Sequence, residues 1–245
     1  MGSRSFIRFF AAITMVLMAS ASTARAAKKG EEEESHRVQN PLLGYTHLLP
    51  SPFTLPQGRL AVGTSIAFGI TDFLQIGTDV LRDFYKFYNA NGKLAILDYE
   101  EFAAALTLGY EAFSLRDIDS ANPNVTVQSW NPGFVAAYEF LPGFSHAFGG
   151  NLYLTKTEVD IPGLRTSGFA RGFVIENDLS WAYNPKKRSI GNVLSAGLTY
   201  DFTYKLYGIG ISPHWPGFHA GIHYYPTATK YRVQPILVGG AVVDL

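Results

Sequence analysis

From Leu60 onward, large and small side chains alternate. Leu60, Val62, Thr64, Ile66, Phe68 and Ile70 are separated by Ala61, Gly63, Ser65, Ala67 and Gly69. Successive side chains of a β-strand point to opposite faces, so this period of two predicts one bulky apolar face and one tiny face. After a turn at Thr71-Asp72, Leu74, Ile76, Thr78 and Val80 continue the bulky face, with Gln75, Gly77 and Asp79 opposite. The same contrast recurs in Phe102–Glu111, Phe173–Trp181, Leu194–Tyr204 and Phe218–Tyr225, and less regularly over 88–97, 125–140, 145–157, 206–213 and 231–245.

Several of these runs exceed ten residues, longer than the five or six usual in a soluble sandwich. A tilted strand that crosses a bilayer needs about 9–11. The connections fall into two classes. Thr71-Asp72, Asp98–Glu101, Leu141–Phe144 and Asn184–Ser189 are short; Arg82–Phe87, Leu115–Asn124 and Glu158–Ala170 are longer, and the two classes alternate. Short turns on one side and longer loops on the other are the asymmetry of membrane β-barrels. The fold expected is all-β, a transmembrane antiparallel up-and-down barrel of about twelve strands. Parity requires an even number and a first strand at Leu43–Leu49, in a stretch broken by Pro50, Pro52 and Pro56. Ten strands is the alternative, reached by merging 206–213 into its neighbour and dropping that first strand; twelve needs a tight turn near Lys205.

Such a barrel puts its bulky face toward lipid and its small, polar face toward the lumen. A lipocalin-like soluble barrel would reverse this, and period alone does not separate the two. The small face is mostly Ala, Gly, Ser and Thr, where a solvent face would carry Lys and Glu. Phe73, Tyr110, Trp181, Tyr183, Tyr204, Tyr207, Trp215, Tyr224 and Tyr231 stand near strand ends, where interfacial girdles form.

The N-terminus changes the picture further. Arg4 and Arg8 precede the apolar stretch Phe9–Ala19, and Ala24-Arg25-Ala26 offers a small-x-small cleavage site. Residues 1–26 therefore read as a secretory signal cleaved near Ala26. Residues 27–41, with Lys28, Lys29 and the run Glu31–Glu34, read as a disordered polar periplasmic leader, and 42–245 as the barrel. Over the 245 residues 47% are apolar and only 16% charged, with 14 Tyr, 18 Phe and no Cys. Without cysteine, no disulfide holds the exported chain. Cleavage removes Arg4, Arg8 and Arg25 and leaves 17 basic against 20 acidic residues, a formal charge of −3. No basic excess favours nucleic acid.

With the signal peptide, Leu55-Pro56-Gln57-Gly58 leading into Leu60–Ile70, and the hairpin-like stretch Gly69-Ile70-Thr71-Asp72-Phe73-Leu74-Gln75-Ile76-Gly77, the chain resembles the bacterial outer-membrane β-barrel class over about residues 43–245. The resemblance implies location in the outer membrane of a Gram-negative bacterium, contact with its lipid, and insertion by the barrel-assembly machinery. It carries over no catalytic or ligand residue. Barrels of this class often end in an aromatic residue; here Leu237, Gly239, Ala241 and Val243 alternate toward Leu245.

The candidate chemistry lies on the small face: Asp79, Lys93, Glu111, Glu139, Glu176, Asp178, Asp201, His219, His223 and Arg232. Charges inside a membrane barrel need pairing or hydration. Glu176 and Asp178 would neighbour Asp201 on the next strand, with Arg232 as counter-charge across the bore, either filling a narrow lumen or marking a solute path. His219 and His223 share a face but lie ~13 Å apart at ~3.3 Å per residue, too far to chelate one metal. No cofactor is implied: neither G-x-x-x-x-G-K-[ST] nor G-x-G-x-x-G occurs. Ser145 and His146 are adjacent and face opposite ways, and Ser180 and His219 share a face without a linking motif. The expectation is a non-enzymatic small channel, ligand carrier or structural barrel. The alternatives are a soluble periplasmic barrel binding an apolar molecule and an outer-membrane lipid-modifying enzyme. Whether residues 27–59 fold inward decides if the lumen is open.

Overall fold

A computed structural model describes residues 50–99, 101–115, 124–141, 143–182, 193–215, 218–228 and 233–244, all within the unit His36–Leu245. The signal segment, the polar leader and the expected strand at Leu43–Leu49 lie outside the described residues, as does the 184–189 turn. The described chain is all-β, one antiparallel up-and-down sheet. Its strand segments are β1 (Arg59–Gly63), β2 (Ser65–Thr71), β3 (Leu74–Asp79), β4 (Tyr88–Tyr99), β5 (Phe102–Ser114) and β6 (Asn124–Leu141), then β7 (Phe144–Ile161), β8 (Leu164–Ala182), β9 (Val193–Asp201), β10 (Leu206–Trp215), β11 (Phe218–Tyr224) and β12 (Val233–Asp244). One short helix, α1 (Val80–Phe84), links β3 to β4, with Asp79 capping it through Oδ1 to the Arg82 N–H. Among the described residues no helix is long and apolar enough to cross a membrane.

Each strand pairs with its sequence neighbours, and β1 also pairs with β12, from Arg59↔Asp244 to Gly63↔Gly240. Turns form where the chain supplies special backbone. Gly163 (φ 81°) follows Pro162 between β7 and β8, and Gly143 (φ 79°) sits between β6 and β7. Between β9 and β10, Asp201 Oδ1 accepts from the Thr203 and Tyr204 N–H groups at 2.8 and 3.0 Å, and Lys205 takes φ 53°. This is the tight turn expected near Lys205; 206–213 is a strand of its own, and the merger behind the ten-strand alternative does not occur.

Two expectations are corrected. Leu60–Ile70 is not one strand but two, folded back at Thr64 so that Leu60 pairs Phe68, Ala61 pairs Ala67 and Val62 pairs Ile66. A hairpin centred on residue 64 pairs even positions with even and odd with odd, so the alternation passes through the turn unchanged. Glu158–Ala170 is not a long loop. β7 and β8 pair continuously through Ile161↔Leu164, leaving a two-residue turn. This ribbon extends past its neighbour, because β9 pairs β8 only from Val174 to Ala182.

Burial follows the alternation. On β8, Val174, Glu176, Asp178, Ser180 and Ala182 are buried while Phe173, Leu179 and Trp181 are exposed. On β9, Val193, Ser195, Gly197 and Thr199 are buried; Leu198 is 61% exposed. Ala103 and Ala105 are 1% exposed against 37% for Phe102. The small face is the enclosed one, and the sheet turns its large apolar side chains outward.

Candidate functional site on the enclosed face of the sheet

The first feature of the enclosed face is a segment that fills part of it. Ser51, Pro52, Phe53 and Leu55 are buried, and Leu55, fully inaccessible, packs with Ala61 and Ala67. Only methyl groups at 61 and 67 leave room for it. Burying a leucine contributes roughly 1.5–3 kcal/mol. The segment's backbone is satisfied by side chains of the wall, as buried polar groups must be. The Leu55 N–H donates to Gln75 Oε1 at 2.9 Å, and Lys93 Nζ donates to the Ser51 carbonyl at 3.0 Å. Gln75 and Lys93 are themselves cross-strand partners. At the rim, Thr54 Oγ1 donates to the Asp72 carbonyl, the Gln57 N–H to Asp72 Oδ1, and the Gly58 N–H to the Gly69 carbonyl. Lys93 is thus a tether for the N-terminal segment.

The remaining small-face charges divide into groups. At the end of the sheet that carries α1, Arg82 ion-pairs with Glu111 and lies 3.8 Å from Asp79. Glu139 closes the β6–β7 turn by accepting from the Gly143 N–H at 2.7 Å. Glu176 and Asp178 are 2% and 1% exposed and stand opposite Thr199 and Gly197 on β9. Gly197 is required there, since a Cβ would run into Asp178 Oδ1. Asp201 ends β9 opposite Val174. His223 is wholly buried, 3.1 Å from Thr199 Oγ1 through Nε2, with its ring stacked on Tyr225 at 4.7 Å. Gly208 leaves space for both rings. The Tyr225 phenol, just beyond β11, is pushed up to about 12, first by burial and then by Glu176, Tyr153 and Asp201. It is a neutral hydroxyl across the physiological range.

Glu176, Asp201 and His223 therefore share one neighbourhood with Tyr153, Thr199 and Tyr225; the Arg82–Glu111 pair, with Asp79 beside it, borders that neighbourhood at Tyr153, whereas Lys93 serves the N-terminal segment. Arg232, the expected counter-charge, lies outside the described residues, and for His219 the backbone alone is described, paired with His214 and Val238. Beside the Tyr153–Tyr225 group, a cavity of about 360 Å³ is lined by Tyr153, Arg171, Thr199, Asp201, Tyr204 and Tyr225, among others. Ser145 is buried while His146 is exposed, so they do face opposite ways; Ser180 Oγ lies 2.7 Å from Ser195 Oγ.

The exposed face carries aromatic pairs at both ends of the strands. At one end Phe144 stacks on Trp181 with centroids 5.9 Å apart, near exposed Tyr99, Phe102, Tyr138 and Phe140. At the other, Tyr110 meets Trp130 at 4.6 Å, and Tyr204, Tyr207 and Tyr224 are exposed. Tyr183 and Tyr231 lie outside the described residues, and for Trp215 only the strand position is described. Tyr99, Trp130 and Tyr138 were not singled out by the sequence, because their strands alternate less regularly. Tyr153 and Tyr225 were missed because the small-face candidates were chosen among Asp, Glu, Lys, Arg and His.

No family model, curated protein or solved structure matches this chain.

Proposed function

We propose that this protein is a non-enzymatic outer-membrane β-barrel of a Gram-negative bacterium, exported by residues 1–26, whose lumen is obstructed by its own N-terminal segment and serves ligand carriage rather than free diffusion. The observation that carries this reading is the inversion of its faces. Ile76, Leu179, Leu198, Ile209, Ile211 and Ile222 are each 47–61% exposed. Across the sheet from them lie enclosed Gln75, Lys93, Glu176, Asp178 and His223. A water-soluble domain rarely exposes an apolar patch above a few hundred Å², whereas lipid demands one.

Three further observations support the barrel. Pairing of β1 with both β2 and β12 leaves neither end of the order with a free partner edge. Phe102 and Tyr110 on β5 are separated by about 27 Å of strand at ~3.4 Å per residue, near 20 Å along the membrane normal at a ~40° tilt, comparable with an apolar band ≈ 25 Å tall. Aromatic residues stand at both limits of that span. The tethering of Ser51 and Leu55 to Lys93 and Gln75 supports an obstructed lumen. In this orientation Arg59 and Asp244 lie at the periplasmic rim, and α1, the β7–β8 ribbon and the Phe202–Lys205 turn lie outside. The soluble-barrel alternative needs an apolar interior, which the Gln, Lys, Glu, Asp, Ser and His of the enclosed face do not provide.

The test is fractionation of a Gram-negative host expressing the full chain. Recovery in the outer membrane, released only by detergent and migrating faster before boiling than after, is the expected result. Recovery in the soluble periplasm without detergent would overturn the proposal.

A further inference from the structure

The cavity beside Tyr153 and Tyr225 lies on the enclosed face, at the strand ends away from the N-terminal segment. Its volume of about 360 Å³ falls within the range of small-molecule sites, roughly 300–1,000 Å³. It is built rather than incidental. Gly172 lines it where a Cβ would press to 3.0 Å of Thr203 Oγ1, and Gly208 holds open the space for the His223–Tyr225 stack. That stack, with the ring planes within 6° of parallel, fixes the Tyr225 ring at the cavity wall. Thr155 and Thr199 add hydroxyls, anchored to Ser129 at 3.0 Å and to His223 at 3.1 Å.

The walls indicate the ligand. Tyr153, Tyr204 and Tyr225 supply aromatic surface, and a ring face attracts a cation within about 6 Å of its centroid. Asp201 supplies a carboxylate at the wall, held in place by two backbone N–H groups. Glu176 stands on the same enclosed face, the cross-strand partner of Thr199 at the cavity wall. Two arginines border the site, and each has a partner of its own: Arg82 pairs with Glu111, and Arg171, which lines the cavity, has its guanidinium over the exposed Phe169 ring at 5.5 Å. Aromatic rings with a neighbouring carboxylate suit an organic ammonium, not an anion.

We propose that this cavity, bounded by Tyr153, Tyr225 and Asp201, is a binding site for a small organic ammonium compound, the cargo of the carrier reading on which the inference rests.

The test uses full-length mature chain refolded in detergent, with heat-modifiable migration confirming the folded barrel, titrated calorimetrically with benzyltrimethylammonium. Neutral neopentylbenzene and anionic benzenesulfonate are the comparison probes. The expected result is saturable binding of the cation, at least about tenfold tighter than either comparison probe. Asp201→Asn, which retains an oxygen to accept from Thr203 and Tyr204, and Thr155→Phe, which fills the cavity, should each weaken it about tenfold while migration stays unchanged. Absence of binding at millimolar cation, equal binding of the neutral or anionic probe, or full binding in folded Thr155→Phe would overturn the site. Loss of heat-modifiable migration in the parent chain would instead overturn the barrel reading.

Discussion

Leu198 offers a decisive perturbation, because water and lipid impose opposite consequences on it. It sits near the middle of β9, with its side chain outward and 61% exposed, between Asn177 and Ile209 on the adjacent strands. So exposed a side chain makes few protein contacts, and replacing it reports on the surrounding medium. In water, Leu198→Lys would change stability by no more than about 0.5 kcal/mol. At the midplane of a bilayer, lysine on the lipid face of a barrel costs about 2–4 kcal/mol. At ~1.4 kcal/mol per tenfold, that lowers the folding equilibrium constant about 30- to 700-fold. The assay is reversible guanidinium unfolding in lipid vesicles, followed by tryptophan fluorescence. Tyr204→Lys, in the turn after β9 and 74% exposed, is the depth control, expected to cost about 0–1 kcal/mol. A Leu198→Lys effect within 0.5 kcal/mol, or one no larger than at Tyr204, would refute the assignment of this face to lipid.

Gly69→Ala places a Cβ against the Pro56 and Leu55 carbonyl oxygens; it should release the N-terminal segment and make residues 50–57 cleavable by added protease, with the strands still protected. Gly197→Ala drives a methyl into the Asp178 carboxylate and should destabilise the folded state by about 1–3 kcal/mol in the same unfolding assay. On the β7–β8 ribbon beyond the end of β9, the hydrogen bond from Lys156 and then its charge hold the exposed Glu158 carboxyl below the usual carboxylate range. A depressed carboxyl pKa means the pair is complete above the free value and is lost as pH falls through the bound one; Lys156→Ala should raise the Glu158 pKa toward the ordinary range in an NMR titration, with Arg165 left as the smaller lowering charge.

The strands were legible wherever the two faces meet different surroundings. Glu176, Asp178 and Ser180 alternate with Ile175, Asn177 and Leu179 because one face is enclosed and the other is not. The same reasoning explains the failure at Leu164–Arg171, where every residue is exposed and no contrast is written into Leu164-Arg165-Thr166-Ser167-Gly168. The Thr64 hairpin was hidden by symmetry, since folding about residue 64 preserves parity. Parity also placed Lys93, Glu176, Asp178 and His223 on the small face, where they are buried. Their partners were not legible: Ser51 lies 42 residues from Lys93 and Leu55 20 from Gln75, separations that no local pattern encodes. Tyr225 shares the small-face parity of His223 in the run Phe218–Tyr225, but its stack on that ring, just past the end of β11, is not written in the alternation.

The central claim is that the bulky face meets lipid, and the absence of cysteine permits a direct measurement. Single cysteines at 194 through 200 in β9, each carrying a nitroxide in vesicle-reconstituted protein, can be read by power saturation with oxygen and with a water-soluble nickel chelate. The expected profile has period two, with positions 194, 196, 198 and 200 open to oxygen and closed to nickel, the oxygen advantage peaking near 198. Equal or greater nickel accessibility at those four positions would contradict it and return the sheet to water.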